Sequence, residues 1–236
     1  PLDITSFFSF GVGESVIDVE ASLSNSYVLT STGRYFSWGS NFGGSVGNNS
    51  TTLVSTVTDH TAFMTLGVNE MLVDIQSNDA TVLAMSNTGN LYGWGSNYAG
   101  ALFTGDNTDR LTNTLLTGAF LLDIGEYFTA FSTGDDFSVV ATSNGEVYSA
   151  GNNTIGQLGD STIAQRNTPT LISGSMNLAD GEYVTHIESY LHTIVSTNQN
   201  RVFGWGWNRG ECIGDDIGIY VYSPYYTCTN ILCSLS

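Results

Sequence analysis

One line of sequence is written four times at a nearly constant interval. The copies run Tyr27 to Asn41, Thr81 to Asn97, Ser138 to Asn153 and Thr193 to Asn208. The anchor positions Trp38, Trp94, Ala150 and Trp205 step by 56, 56 and 55 residues. A fixed period of this length marks a repeat architecture, in which each unit buries its faces against its neighbours. The 236 residues therefore read as one repeat domain.

Each copy holds two short alternating runs around a turn. In the second, Thr81–Ser86 is followed by Asn87-Thr-Gly89 and then by a run starting at Asn90. Such runs predict an antiparallel hairpin. The matching turns are Ser31–Gly33, Ser143–Gly145 and Asn198–Asn200, rich in residues that reach positive φ cheaply. Further apolar runs, such as Leu115–Ile124 and Tyr183–Ile187, leave room for about four strands per unit. Four strands per unit, repeated, predict an all-β fold of four β-propeller blades. The Trp-Gly pair is expected to fill the space between blades, with Trp38, Gly39, Trp94, Gly95, Gly151, Trp205 and Gly206 as structural anchors. Ala150 lacks the indole, so neighbours must fill that volume.

The pattern of a hairpin, then Trp-Gly-x-Asn, then x-x-Gly-x-Leu-Gly, stands as Trp94 to Leu102 and Gly151 to Gly159. It resembles the RCC1 repeat family. The first unit keeps Trp38 to Asn41, Gly44 and Gly47; the fourth keeps Trp205, Gly206, Asn208, Gly210 and Ile213 to Asp215. Of the histidine that the family often carries ahead of the hairpin, only His192 survives. The resemblance spans essentially the whole chain and implies blades of the RCC1 type. Pro1–Val19 aligns with Pro169–Ile187, and Pro224 falls one period further on, so the repeats lie in permuted phase. Residues 1–224 are then expected to form the propeller, with Pro1–Val19 completing a blade with the C-terminal end. The apolar tail 225–236 is a candidate inter-subunit strand. RCC1-like rings usually have seven blades. Four units imply a small closed ring, part of a longer chain, or completion against another copy, since open blade edges invite pairing. The closed small ring is favoured, with self-association next. The start at Pro1, with no basic leader region, points to a processed form or a piece of a longer chain.

Charge narrows the partners. Asp and Glu number 22 against five arginines and no lysine, a net charge of −17. Phosphate backbones are bound through released counterions by Lys and Arg, so nucleic acid is not an expected partner. No run of about 18 to 20 apolar residues is present to span a bilayer. Cys212, Cys228 and Cys233 are disulfide candidates, with at least one left over. No zinc spacing occurs. The glycines Gly93, Gly95, Gly204, Gly206 and Gly210 lie at strand ends without a following helix, which argues against a phosphate cradle. Asp106, Asp160 and Asp215 fall at matching turns and read as Asx residues, not as a calcium loop. His60, His186 and His192 form no catalytic constellation, and no cofactor or metal is implied.

These readings point to a non-enzymatic extracellular or cell-surface structural and binding module, associating with its own copies or with another protein. Sequons at Asn48, Asn49 and Asn152 are glycan candidates. Phe42, Tyr98, Trp207, Tyr220, Tyr222, Tyr225 and Tyr226 are candidate contact anchors, because aromatics dominate hot spots. The alternatives are an intracellular regulator of a small GTPase, which the family resemblance implies, and a secreted propeller that inhibits an enzyme.

Overall fold

The computed structural model describes residues 1–78, 80–214 and 220–226. Sixteen strands make four antiparallel sheets, each a meander of four consecutive strands. The first contains β1 (Val16–Ala21), β2 (Asn25–Thr30), β3 (Tyr35–Gly39) and β4 (Val54–Asp59). The second contains β5 (Leu72–Asn78), β6 (Thr81–Ser86), β7 (Leu91–Gly95) and β8 (Arg110–Leu115). The third contains β9 (Phe128–Thr133), β10 (Phe137–Thr142), β11 (Val147–Gly151) and β12 (Arg166–Leu171). The fourth contains β13 (Val184–Ser189), β14 (His192–Thr197), β15 (Val202–Trp207) and β16 (Tyr220–Tyr226). Four such sheets match the expected four blades.

One expectation is corrected. Leu115–Ile124 is not a strand: β8 ends at Leu115, a 3-10 turn follows at Thr117–Ala119, and Leu121 and Ile124 are exposed. The fourth strand of each blade comes instead from polar stretches such as Val54–Asp59 and Arg166–Leu171. Pro1–Val19 is expected to complete a blade with the C-terminal end, of which residues 227–236 lie outside the described residues. Val16–Ala21 pairs with Asn25–Thr30 in the first sheet, where Phe8 and Phe10 set their rings against Phe36. Tyr225 and Tyr226, assigned to the tail, pair as backbone with Gly204 and Phe203 on β16.

The chain forms two compact units. The first comprises Pro1–Ser96 and Thr108–Thr117; the second comprises Asn97–Asn107 and Gly118–Ser236. In the first, Leu72 and Ile75 of β5 bury themselves with Tyr27, Leu29, Tyr35 and Trp94. In the second, Val184 and Ile187 of β13 pack with Phe137, Val139 and Trp205. The innermost strands also satisfy each other's edges through side chains. Asp18 and Glu20 of β1 accept the Ile75 and Ser77 amides of β5, both at 2.9 Å, and Thr129 of β9 donates to the Val184 carbonyl. Buried backbone donors need such partners where strands do not pair.

The tryptophans are seated by glycine. The Trp94 indole donates to the Ser45 carbonyl at 2.9 Å and lies over Gly47, where an added Cβ would stand 3.0 Å from the ring nitrogen. Trp205 repeats this on the Gln157 carbonyl at 3.0 Å and on Gly159. Where Ala150 replaces the indole, the position matching Gly47 and Gly159 holds Phe103. Phe103 is fully buried despite a φ of 61°, with its ring centroid 5.1 Å from that of Phe120. A Gly–Trp pair has been exchanged for Phe–Ala, a swap that roughly conserves volume. Phe103→Gly is therefore expected to cost about 3–5 kcal/mol, softened by release from the left-handed backbone. Phe103→Gly with Ala150→Trp should recover most of that loss. Urea unfolding of the two singles and the double measures the coupling, and additive losses would refute the exchange.

Candidate protein-binding surface

The long loop after the third strand of each blade is fixed by the asparagine of the Trp-Gly-x-Asn line. Asn41, Asn97, Asn153 and Asn208 are buried. Their Oδ1 atoms accept the amides of Val46, Leu102, Leu158 and Ile213, five residues on, at 2.9–3.0 Å. The Nδ2 groups reach further. Asn41 donates to the Ser50 and Thr52 carbonyls at 2.9 Å, Asn97 to Asp106 at 3.0 Å, and Asn153 to Thr162 and Ala164 at 3.1 Å. One amide thus gathers a loop of some dozen residues, using both its donor and acceptor capacity. Asp160 adds an Asx turn, accepting the Thr162 amide at 3.0 Å while Arg166 pairs with it at 2.9 Å.

Three of these loops lie on an outer strand of the following repeat. In the first unit, the Asn49 amide donates to the Leu111 carbonyl of β8 at 2.9 Å. In the second unit, Gly105 and Ser161 donate to Asn167 of β12 and Tyr222 of β16, both at 2.7 Å. The close approach requires glycine three residues after the asparagine. A Cβ added at Gly44, Gly100 or Gly156 would meet Leu111, Asn167 or Tyr222 at 2.4–2.6 Å. The fourth loop carries Glu211 at this position, with a φ of 60° that is also positive.

The residue after each asparagine points outward. Phe42 and Tyr98 are 63% and 59% exposed, and the matching residues Thr154 and Arg209 are exposed as well. Tyr98 donates its hydroxyl to Asp136, and that bond, with burial and the Asp136 and Asp135 charges, pushes its pKa up to about 12. Trp207 is half-buried and faces a cleft of about 490 Å³ with Ile155, Leu191, Arg209 and Tyr220. Tyr220 and Tyr222 are exposed on β16 with ring centroids 6.2 Å apart.

The other expected sites separate clearly. Trp94, Gly95, Gly151, Trp205 and Gly206 are buried, whereas Trp38 and Gly39 are half-buried, with Trp38 edge-on to Phe8 at 6.0 Å. Among the sequons, Asn49 is exposed; Asn48 is half-buried and accepts from Asn41, and Asn152 accepts the Thr154 amide. Cys212 is exposed and unbridged among the described residues; Cys228 and Cys233, like Asp215 and Asp216, lie outside them. His60 is buried with its Nδ1 2.8 Å from the Ser37 hydroxyl, and burial lowers its pKa as it does that of His192. His186 is exposed. Among the described residues, no group of three His, Cys, Asp or Glu is placed to hold a metal ion, and no helix is long and apolar enough to cross a membrane.

At the hairpin-turn end stands a series that the motif reading missed. Glu14, Glu70, Glu126 and Glu182 recur every 56 residues, and that spacing is their signal. Each accepts the backbone amide three residues before it, at 2.6–2.9 Å. Glu14 pairs with Arg34 at 3.1 Å and Glu182 with Arg201 at 2.8 Å. Asn90 bonds Glu70 at 2.9 Å, and the matching position in the third repeat is Glu146. The Gly11 amide, with Thr30, Thr32 and Arg34, brings Glu14 down to about 2. Burial raises Glu70, but bonds from Ser86, Asn90, Thr88 and Gly67 together bring it to about 2.

Comparison with known proteins agrees with this geometry. The model of the regulator of chromosome condensation (RCC1) repeat matches residues 128–157 and 144–189. The ultraviolet-B receptor UVR8 of Arabidopsis thaliana is 26% identical over 192 residues, covering 81% of this chain and 41% of that protein. The human probable E3 ubiquitin-protein ligase HERC6 is 32% identical over 196 residues, covering 81% and 18%. The chain thus spans less than half the length of either relative. Human WBSCR16 superposes with a TM-score of 0.73 at 22% identity, over 91% of this chain and 53% of that one. Prp20p of Saccharomyces cerevisiae gives 0.71 at 16%, over 93% and 53%.

A carboxylate whose pKa falls on folding stabilises the native state above its unfolded pKa and loses that contribution as pH drops through the folded value. Stability is therefore expected to decline between pH 4.5 and about 2 as Glu14 and Glu70 protonate. Glu70→Gln should show a shallower acid decline of its thermal midpoint than the wild type. Parallel declines would show that Glu70 carries none of the effect.

Proposed function

Because the chain is an RCC1-like repeat protein, we propose that it is a non-enzymatic structural and binding module, set at the cell surface or outside the cell, that associates with its own copies. The observation that carries the reading is the exposure of β1, the first strand of the first sheet. Val16 and Val19 are 45% and 64% exposed. Their register equivalents Leu72 and Ile75, Phe128 and Phe131, and Val184 and Ile187 are all buried. An apolar strand face of this kind marks an interaction surface on a polar protein. The aromatic tips at Phe42 and Tyr98, held on latched loops, supply contact anchors for a second protein at low entropic cost. The absence of lysine and the exposed sequon at Asn49 support the extracellular setting. The likeness to Prp20p, a protein described with its binding to Gsp1p and histones, supports the fold and brings no partner with it.

Light scattering across a concentration series tests the reading. Mass is expected to rise above the 25.2 kDa of one chain, and Val19→Arg should suppress the rise. A constant single-chain mass would remove self-association from the proposal, leaving contact with another protein as its content.

A further inference from the structure

We propose that the cleft beside Trp207 docks a peptide segment of a partner protein that presents a carboxylate next to an apolar side chain. The inference rests on the binding-module reading and names the chemistry of one of its contacts.

The repeat itself shows that this cleft is not part of the architecture. At the Trp207 position the other repeats carry Ser40, Ser96 and Asn152, and at the Arg209 position Phe42, Tyr98 and Thr154. The loop keeps its form without these two side chains, since the Asn208 latch to Ile213 matches the other three. Trp207 and Arg209 are thus additions to a scaffold that does not require them. Tyr220 faces Trp207 across the β15–β16 pair, and Leu191 and Ile155 complete an apolar wall.

Arg209 gives the cleft its sign. Arg34 is held by Glu14 and Asp59, Arg166 by Asp160 and Arg201 by Glu182. Arg110 donates to the Thr108 carbonyl. Arg209 is exposed and makes no ion pair among the described residues. In a chain of net charge −17, a guanidinium without an ion pair among the described residues, beside a tryptophan and a tyrosine, is a local exception. Trp, Tyr and Arg are the side chains most enriched at binding hot spots, and the planar guanidinium fork matches a carboxylate. The volume of about 490 Å³ is that of a pocket for a few side chains. The overall negative field repels an anion at long range, so recognition must come from contact: the carboxylate on Arg209 and the apolar neighbour against Trp207 and Tyr220.

The probe is a pair of capped pentapeptides, Ser-Phe-Asp-Leu-Ser and its Asn counterpart, titrated calorimetrically into the full chain. The wild type should bind the Asp peptide roughly tenfold more tightly than the Asn peptide, the worth of one charge-assisted bond. Arg209→Ala, at an exposed site, should bind the two peptides equally. Trp207→Ala should lose both, with unchanged circular dichroism as the check on folding. Equal affinities in the wild type, discrimination surviving in Arg209→Ala, or no binding of either peptide would each overturn the proposal. None of these results bears on self-association, which the concentration series with Val19→Arg decides on its own.

Discussion

The buried asparagine that ends each Trp-Gly-x-Asn line is the interaction on which the architecture depends. A side-chain amide in the protein interior must satisfy two donor and two acceptor sites, and an unpaired one costs about 1–3 kcal/mol. Asn41, Asn97 and Asn153 meet this demand by drawing in backbone groups from five to eleven residues downstream. The loop is thereby folded back so that its glycine reaches the next outer strand and, in the Asn41 and Asn153 loops, a carbonyl reaches the next tryptophan. Remove the amide, and the joint and the indole seat lose their support together.

Variation on this joint shows where the repeat is constrained and where it is free. The exchange of Gly and Trp for Phe103 and Ala150 keeps the volume and changes the chemistry. The fourth loop departs further, carrying Glu211 where the other three hold a glycine whose added Cβ would strike an outer strand.

Much of the fold was legible because the period, the hairpin turns and the Trp-Gly anchors are local and repeated. The outer strands were not. Val54–Asp59 and Arg166–Leu171 are rich in Ser and Thr and nowhere fully buried, so no hydrophobic alternation announces them. Leu115–Ile124 misled for the opposite reason, since its apolar residues serve a crossover in which Leu116 and Phe120 are buried and their neighbours are not. The glutamate series was visible as spacing, but its role needed the hairpin turn in place. The candidate anchors Phe42 and Tyr98 could be named from sequence. That Arg209 makes no ion pair among the described residues could not, because it depends on where the side chains fall in the fold.

The most direct test of the latch is hydrogen exchange on Asn153→Asp. The change is isosteric and puts a carboxylate oxygen where Nδ2 now faces the Thr162 and Ala164 carbonyls. The account predicts that the Leu158 amide, protected in the wild type by its bond to Oδ1, exchanges rapidly in the variant. The Ser161 amide, which bonds the Tyr222 carbonyl in the loop-to-strand joint, should lose protection with it. Unchanged protection at Leu158 and Ser161 would contradict the claim that the asparagine holds loop and joint together.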